Sequence, residues 1–192
     1  VERGPRGPQL VVSRGCKEFI EWLFRAEVPE MDNGAVEIKQ IAREAGVRTK
    51  LAVNSTVPGV DPVGTFVGGH GTRVQAVMNE IGDQEKIDII TFSDDPQAFI
   101  INALSPAEVK KITLDESNKR AKVAVEESQL SIAIGRGGQN VRLASELTGW
   151  VINVITVDEA AKKIVKESEG LQSLFMEQLG IDEELAQVLA RE

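Results

Sequence analysis

The chain of 192 residues has one cysteine, one histidine and no long apolar run. Cys16 alone cannot form an internal disulfide, and His70 has no cysteine or carboxylate cluster around it at metal-ligand spacing. No apolar stretch approaches the roughly 18 residues that a membrane span requires, and residues 1–8 lack the layout of a signal peptide. We therefore expect a cytoplasmic protein without a metal, a cofactor or a membrane partner.

Signatures of enzymes are also missing. The chain contains no Gly-x-x-x-x-Gly-Lys-Ser/Thr loop, no Gly-x-Ser-x-Gly turn and no His-Glu-x-x-His helix. Cys16 has no pattern of a neighbouring base, so a buried or incidental thiol is favoured over a nucleophile. We expect a protein that is not an enzyme. A nucleotide-binding enzyme, as an alternative, lacks the phosphate-binding lysine.

The net charge of −8 argues at first sight against a polyanionic partner. From Glu167 onward, however, the chain holds seven acidic residues and only one basic residue, a net charge of −6. Residues 1–166 therefore carry only −2 and have room for a local basic face. The composition permits nucleic-acid binding without indicating it.

An internal repeat is the strongest feature of the sequence. Residues 67–82 align without a gap on residues 134–149, at an offset of 67 residues. Each copy has a Gly-x-x-Gly loop and then about a dozen helix-compatible residues. A glycine, Gly82 or Gly149, stands where a left-handed C-cap would end the helix. A β-branched run follows and predicts a buried strand.

The sequence before each loop repeats in pattern. One-sided helices are predicted at residues 17–27 and 96–104, and two alternating strand segments follow each of them. The unit is helix, strand, strand, short helix, glycine loop, helix, strand. We expect an α+β fold in which each unit forms a three-stranded sheet covered on one face by helices. Residues 1–8 have a linker composition, and the tail from Glu167 predicts short amphipathic helices broken at Gly180.

A Gly-x-x-Gly loop that opens a helix suits a phosphate. Neither glycine has a Cβ to keep the ligand away, and the first N–H groups of the helix point outward. Such a loop clamps a few nucleotides of a single strand. One loop alone is explained by a tight turn, but two loops in the same context favour binding. The candidate RNA-binding residues are Gly68, Gly69, His70, Gly71, Thr72 and Arg73 in the first copy and Gly135, Arg136, Gly137, Gly138, Gln139, Asn140 and Arg142 in the second.

Further basic residues flank the turn between the first two strands. Arg43, Arg48 and Lys50 extend the positive face if they point toward the RNA, and a plain solvated turn explains them equally well. In the first loop the positive charge lies on His70 and Arg73, so it is displaced and partly dependent on pH. We expect the second loop, with Arg136 inside it, to contribute more of the affinity.

These residues resemble type II KH domains in tandem, and longer stretches resemble the tandem KH region of the NusA family of bacterial transcription factors. The resemblance covers roughly residues 10–166. It rests on Glu37-Ile38, Ala42-Arg43, Arg48-Thr-Lys50, Asp61-Pro-Val-Gly64, Arg73-Val-Gln-Ala76, Lys86-Ile-Asp-Ile89, Asn102-Ala-Leu-Ser-Pro106 and Ala133-Ile-Gly-Arg-Gly-Gly-Gln-Asn-Val-Arg-Leu-Ala144.

The resemblance implies a regulator that binds nascent single-stranded RNA and acts in pausing, termination and antitermination. RNA polymerase and other transcription factors would be partners through the full-length protein, and we expect this fragment alone to be monomeric. The family usually has arginine at the position of His70, which puts the grip of the first loop in doubt. A ribosome-associated KH protein and a protein-interaction scaffold are the alternatives.

The resemblance also implies a division of the chain. We expect residues 1–13 to be a linker at the end of a preceding OB-fold domain. The first KH domain is expected at residues 14–94 and the second at residues 95–166. Residues 167–192 resemble the start of an acidic repeat, so the chain is expected to be an internal fragment that lacks the family's polymerase-binding domain.

Overall fold

The computed structural model describes residues 2–82, 84–163 and 165, and it contains the predicted unit twice. A short hairpin, β1 (Glu2–Gly4) paired with β2 (Gly7–Gln9), precedes the two units where the sequence predicted only a linker. In the described part of the chain no helix is long and apolar enough to cross a membrane. The predicted helices of the acidic tail lie outside the described residues.

Each unit, called here the first or the second domain, has the predicted order of elements. The first consists of α1 (Lys17–Glu27), a 3-10 turn (Pro29–Met31), β3 (Val36–Glu44), β4 (Arg48–Ser55), α2 (Pro62–Val67), a 3-10 turn (Gly69–Gly71), α3 (Thr72–Ile81) and β5 (Lys86–Thr91). The second consists of α4 (Pro96–Ala103), β6 (Val109–Asp115), β7 (Arg120–Val125), α5 (Glu127–Ile134), a 3-10 turn (Arg136–Gly138), α6 (Gln139–Thr148) and β8 (Val151–Thr156). Residues 157–163 are helical.

The two sheets share one topology. In each sheet the first and second strands pair antiparallel, and the second and third pair in parallel. The parallel connection carries the short helix, the glycine loop and the long helix across one face, because parallel strands need a crossover. The predicted α+β fold with two helix-covered three-stranded sheets is confirmed.

Apolar periodicity explains why these helices lie on the sheets. In α1 the side chains of Ile20, Leu23 and Phe24 are buried, as their spacing on one helical face predicts. They pack with Leu51 and Val53 of β4 in the core of the first domain. The spacing of the apolar residues thus fixes which face of α1 meets the sheet.

The core of the second domain extends into the first. Ala42, Ala52 and Ile90, on the strands of the first sheet, belong to the same buried cluster as Leu143 and Ala144 of α6. The first domain therefore has apolar neighbours on both faces of its sheet. Burial of this shared surface holds the two domains, and with them the two glycine loops, in one arrangement.

The glycines that end the long helices differ in conformation. Gly149 has φ 73° and ψ 15°, the left-handed conformation that was predicted. Gly82 has φ 109° and ψ 131°, so the prediction of a left-handed cap is wrong there. From Gly82 the chain enters a turn in which the Glu85 amide donates to the Gly82 carbonyl over 3.2 Å.

Candidate nucleic-acid interface

The two glycine loops have the same backbone conformation. The first glycine has φ 76° and ψ 166° in Gly68, and φ 76° and ψ 171° in Gly135. The last glycine has φ 75° and ψ 17° in Gly71, and φ 76° and ψ 13° in Gly138. Only glycine adopts these positive φ values without strain. The sequence repeat is therefore a repeat of backbone geometry at the start of α3 and α6.

The first glycine of each loop is also required by space. A Cβ on Gly68 would lie 2.8 Å from Cγ of Arg73, and a Cβ on Gly135 would lie 2.7 Å from the backbone nitrogen of Asn140. A Cβ on Gly137 or Gly138 would meet nothing within 4 Å. The loop thus packs closely against its own helix on one side and leaves its other side open to a ligand.

His70 and Gly137 occupy the third position of the two loops. Gly137 has φ 59° and ψ 26°, and His70 has nearly the same conformation, with φ 54° and ψ 24°. The left-handed conformation costs an L residue about 1 to 2 kcal/mol. His70 keeps it with an exposed side chain. The first loop therefore carries a strained residue at its tip where the second loop has glycine.

Cationic side chains near the second loop come from two positions. Arg136 is exposed inside the loop and forms no ion pair with any described residue. Arg142 lies one turn into α6, where its guanidinium donates to the Glu44 carboxylate over 2.7 Å. The side-chain amide of Gln139 donates to the same Glu44 oxygen over 3.2 Å. The loop thus has one free cation and one that is paired with the first domain.

Glu44 is the last residue of β3, so the first domain places a carboxylate beside the second loop. The hydrogen bonds from Arg142 and Gln139 hold the pKa of Glu44 below its ordinary value. Glu44 is therefore ionised at neutral pH, and its charge occupies donors that a phosphate would use. Sequence reasoning missed this residue, because nothing local links Glu44 to a loop more than 90 residues away.

The first loop has fewer available donors. Arg73 donates to both carboxylate oxygens of Glu30, each over 3.1 Å, and to the carbonyl oxygen of Thr65 over 2.8 Å. These hydrogen bonds from Arg73 lower the pKa of Glu30. Thr72 is exposed at the start of α3. His70 is thus the exposed ionisable side chain of this loop, and Arg73 is held by its neighbours.

Asn140 has a structural position that differs from its predicted contact with sugars or bases. Its side chain is buried and its amide nitrogen donates to the carbonyl oxygens of Leu104 and Ala133, over 3.0 and 3.1 Å. These bonds connect α6 to the ends of α4 and α5. The Asn140 Oδ1 atom is buried without a hydrogen-bond partner in the described part of the chain.

Arg43 does not extend a positive face. Its side chain is 3% exposed and forms a two-pronged ion pair with Glu85, over 2.7 and 3.0 Å. It also donates to the carbonyl oxygens of Arg14 and Cys16. Burial raises the pKa of Glu85, but the hydrogen bonds from Arg43, Thr49 and Gly46 outweigh burial and hold that pKa below its ordinary value.

Lys50 and Arg48 are likewise engaged inside the protein. Arg48 donates two hydrogen bonds to Asp88, over 2.7 and 3.0 Å. Lys50 is completely buried and donates to Asp88 over 3.2 Å and to the Ser105 carbonyl oxygen over 2.7 Å. Burial lowers the pKa of Lys50, and Asp88 offsets only part of that effect. Neither the predicted positive face nor a solvated turn describes Arg43 and Lys50, because buried carboxylates pair with both.

The described residues contain no group of three or more histidine, cysteine, aspartate or glutamate side chains placed to hold a metal ion. The donors at the loops are instead backbone N–H groups, Arg136, Arg142 and Gln139. Such a set of neutral and cationic donors suits a phosphate backbone.

Comparison with family models places both loops in known domains. Residues 14–92 match the model described as NusA-like first KH domain, and residues 96–162 match the one described as NusA-like second KH domain. The first model includes Gly68 to Gly71 and the second includes Gly135 to Gly138. The two models together cover most of the chain.

Two curated relatives carry the name transcription termination/antitermination protein NusA. The protein of Thermus thermophilus is 51% identical over 172 residues, which are 87% of this chain and 44% of that protein. The protein of Halalkalibacterium halodurans is 45% identical over 186 residues, which are 97% of this chain and 48% of that protein. The chain thus spans a little under half the length of these relatives.

The crystal structure of APE1850 has a similar fold. Its TM-score to this chain is 0.51, with 21% sequence identity, and the alignment covers 72% of this chain and 96% of that one. At this level of identity the likeness concerns the fold alone.

Proposed function

The chain belongs to the family of NusA-like tandem KH domains, and from that premise we propose that it binds single-stranded RNA as part of a transcription termination/antitermination factor. The two curated relatives are named for that process, and no catalytic activity is proposed. RNA polymerase and other transcription factors would be partners of the whole protein, in a cytoplasmic setting.

The single observation that carries the proposal is the shared backbone conformation of the two loops, each of which opens a long helix. Nothing in the turn itself demands that the open sides of both loops stay free of side chains. A ligand that approaches the bare backbone does demand it. The phosphates of a single strand would accept hydrogen bonds from the first N–H groups of α3 and α6, while the bases lie along the adjoining surface.

We expect the two loops to contribute unequally. The second offers Arg136, which is exposed and unpaired among the described residues, whereas Arg73 beside the first loop is held by Glu30. A cation that already has a buried or partly buried partner gains less from a phosphate than a free one. The second domain would therefore supply more of the affinity.

The test is a pair of double variants in the second loop, assayed with single-stranded RNA selected from a random pool. Gly137→Asp with Gly138→Asp adds two negative charges where added side chains meet no protein atom within 4 Å. Gly137→Asn with Gly138→Asn imposes the same positive-φ strain without charge, since asparagine tolerates this conformation. We expect the aspartate pair to weaken binding at least about tenfold relative to the asparagine pair, or about 1.4 kcal/mol.

The corresponding change in the first loop is Gly69→Asp, compared with Gly69→Asn. Gly69 aligns with Arg136, and an added Cβ there also meets open space. We expect a smaller loss of affinity than in the second loop. Equal RNA affinity of the aspartate and asparagine variants in both loops, with the fold intact by circular dichroism, would exclude RNA binding through the loops and favour a protein-interaction scaffold.

A further inference from the structure

The second strands of the two sheets repeat each other. Residues 48–53 and residues 120–125 share arginine, lysine, alanine and valine at matching positions. The parallel partner of Lys50 is Asp88, and the parallel partner of its counterpart Lys122 is Asn153. Since the two sheets have the same topology, Lys50 and Lys122 lie on the same face of their respective sheets.

In the first domain this face is a docking surface. Lys50 and Ala52 are completely buried, and Ala52 shares an apolar cluster with α6 of the second domain. The Lys50 ammonium donates to Asp88 within its own sheet and to the Ser105 carbonyl oxygen beyond α4. The repeat thus shows how such a face is covered: apolar contacts surround a lysine whose charge finds an acidic partner.

In the second domain the equivalent face is open. Lys122 is exposed, and it lines a groove of about 190 Å³ together with Lys111 and Lys163. The residues between the lysines are Thr113, Ala124, Ile155 and Ala160. We call this set the lysine groove. It lies on the side of the sheet opposite α4, α5 and α6, because residues alternate between the two faces along each strand.

The lysine groove lacks the acid that the first domain has. Asn153 stands opposite Lys122 where Asp88 stands opposite Lys50, and no carboxylate lines the groove. None of its three lysines forms an ion pair with a described residue. A partner for this face must therefore bring its own negative charge, along with apolar side chains for Ala124 and Ile155.

Residues 167–192 have that chemistry in their sequence. They contain seven acidic residues and one basic residue, with Leu171, Leu174 and Phe175 among their apolar residues. The segment begins four residues after Lys163, which itself lines the groove. A short tether gives an effective concentration on the order of millimolar, so even a weak contact would be occupied.

We propose that residues 167–192 bind the lysine groove on the open sheet face of the second domain through their carboxylates. This contact would cover the second sheet as the second domain covers the first. It leaves the glycine loops on the opposite side free, so it does not depend on RNA binding.

The experiment uses the 192-residue chain with a nitroxide spin label on Ala186→Cys in a Cys16→Ser background. The expected result is paramagnetic broadening of the amide signals of Lys111, Lys122 and Asn153. Lys122→Glu is expected to remove the broadening, and so is salt raised to about 0.5 M, since screening acts within a few ångströms there. Lys86→Glu, an equal charge reversal on an exposed lysine outside the groove, should keep it.

Three results would overturn the proposal. Broadening that is absent, or that persists in Lys122→Glu, means that the lysines do not hold the segment. Broadening seen when labelled chains are mixed with isotope-labelled, spin-free chains assigns the groove to a second copy. A loss of RNA affinity in Lys122→Glu as large as that of the aspartate pair in the second loop assigns it to the RNA backbone.

Discussion

The Glu44 carboxylate lies 2.7 Å from the Arg142 guanidinium, across the boundary between the two domains and 98 positions apart in the chain. Glu44 ends β3 of the first domain, and Arg142 lies one turn after the second glycine loop. The first domain thus places a negative charge among the donors that we propose for phosphate. An RNA phosphate at this point would have to compete with Glu44 for Arg142 and Gln139.

Glu44→Gln is therefore expected to strengthen RNA binding. Glutamine keeps the shape and an accepting oxygen for Arg142 but removes the charge that repels phosphate. The pair is half exposed, so we expect a gain of about two- to fivefold, or about 0.4 to 1 kcal/mol, in titrations with selected single-stranded RNA.

Glu37→Gln is the matched control for Glu44. Glu37 lies on the same strand and also pairs with a cation, Lys39. Seven residues of extended strand separate it from Glu44, about 23 Å, which exceeds the screening length at physiological salt. RNA affinity should not change in Glu37→Gln. A loss of affinity in Glu44→Gln would mean that the ion pair orients Arg142 for RNA rather than competing with it.

Arg136→Gln is expected to weaken RNA binding and its dependence on salt. One lost phosphate contact on a single strand lowers the slope of log affinity against log salt by about 0.7. Lys86→Gln removes the same charge at an exposed position outside both loops and should leave the slope unchanged. Equal slopes for the wild type and Arg136→Gln would show that Arg136 does not contact a phosphate.

Arg43→Met tests the buried ion pair of the first domain. The change leaves the Glu85 carboxylate, 2% exposed, without its main partner. Removing one partner of a buried pair costs about 3 to 5 kcal/mol, which equilibrium urea unfolding would measure. Arg25→Met removes the cation of an exposed pair within α1 and should cost less than about 1 kcal/mol. Similar free energies of unfolding for the two variants would contradict a structural role of Arg43.

The sequence predicted the features that depend on neighbouring residues. The bounds of α1 follow from its apolar stripe, and the strands follow from alternation or β-branched runs. The loop geometry follows from glycines that need positive φ. These signals are local, so they remain readable without the fold. That RNA contacts the loops stays a prediction.

The positions of the basic residues could not be predicted in the same way. Arg43 and Lys50 look like surface cations because their partners, Glu85 and Asp88, are about 40 residues away in the chain. Asn140 looks like a free donor because the carbonyl groups that it binds are exposed only by the way α4 and α5 end. Whether a polar residue serves the ligand or the core depends on tertiary packing.

Lys50→Ala and Lys122→Ala compare one repeat position in two environments. Lys50 is completely buried between the domains and holds Asp88 and the Ser105 carbonyl oxygen, whereas Lys122 is exposed on the open sheet. Removing the Lys50 side chain leaves a cavity and an unpaired carbonyl group, so we expect a loss of about 2 to 4 kcal/mol in urea unfolding. The same change at an exposed strand position should alter stability by less than about 0.5 kcal/mol. Equal effects would mean that the domain interface does not depend on Lys50, and a large effect at Lys122 would mean that its face is already covered in the folded chain.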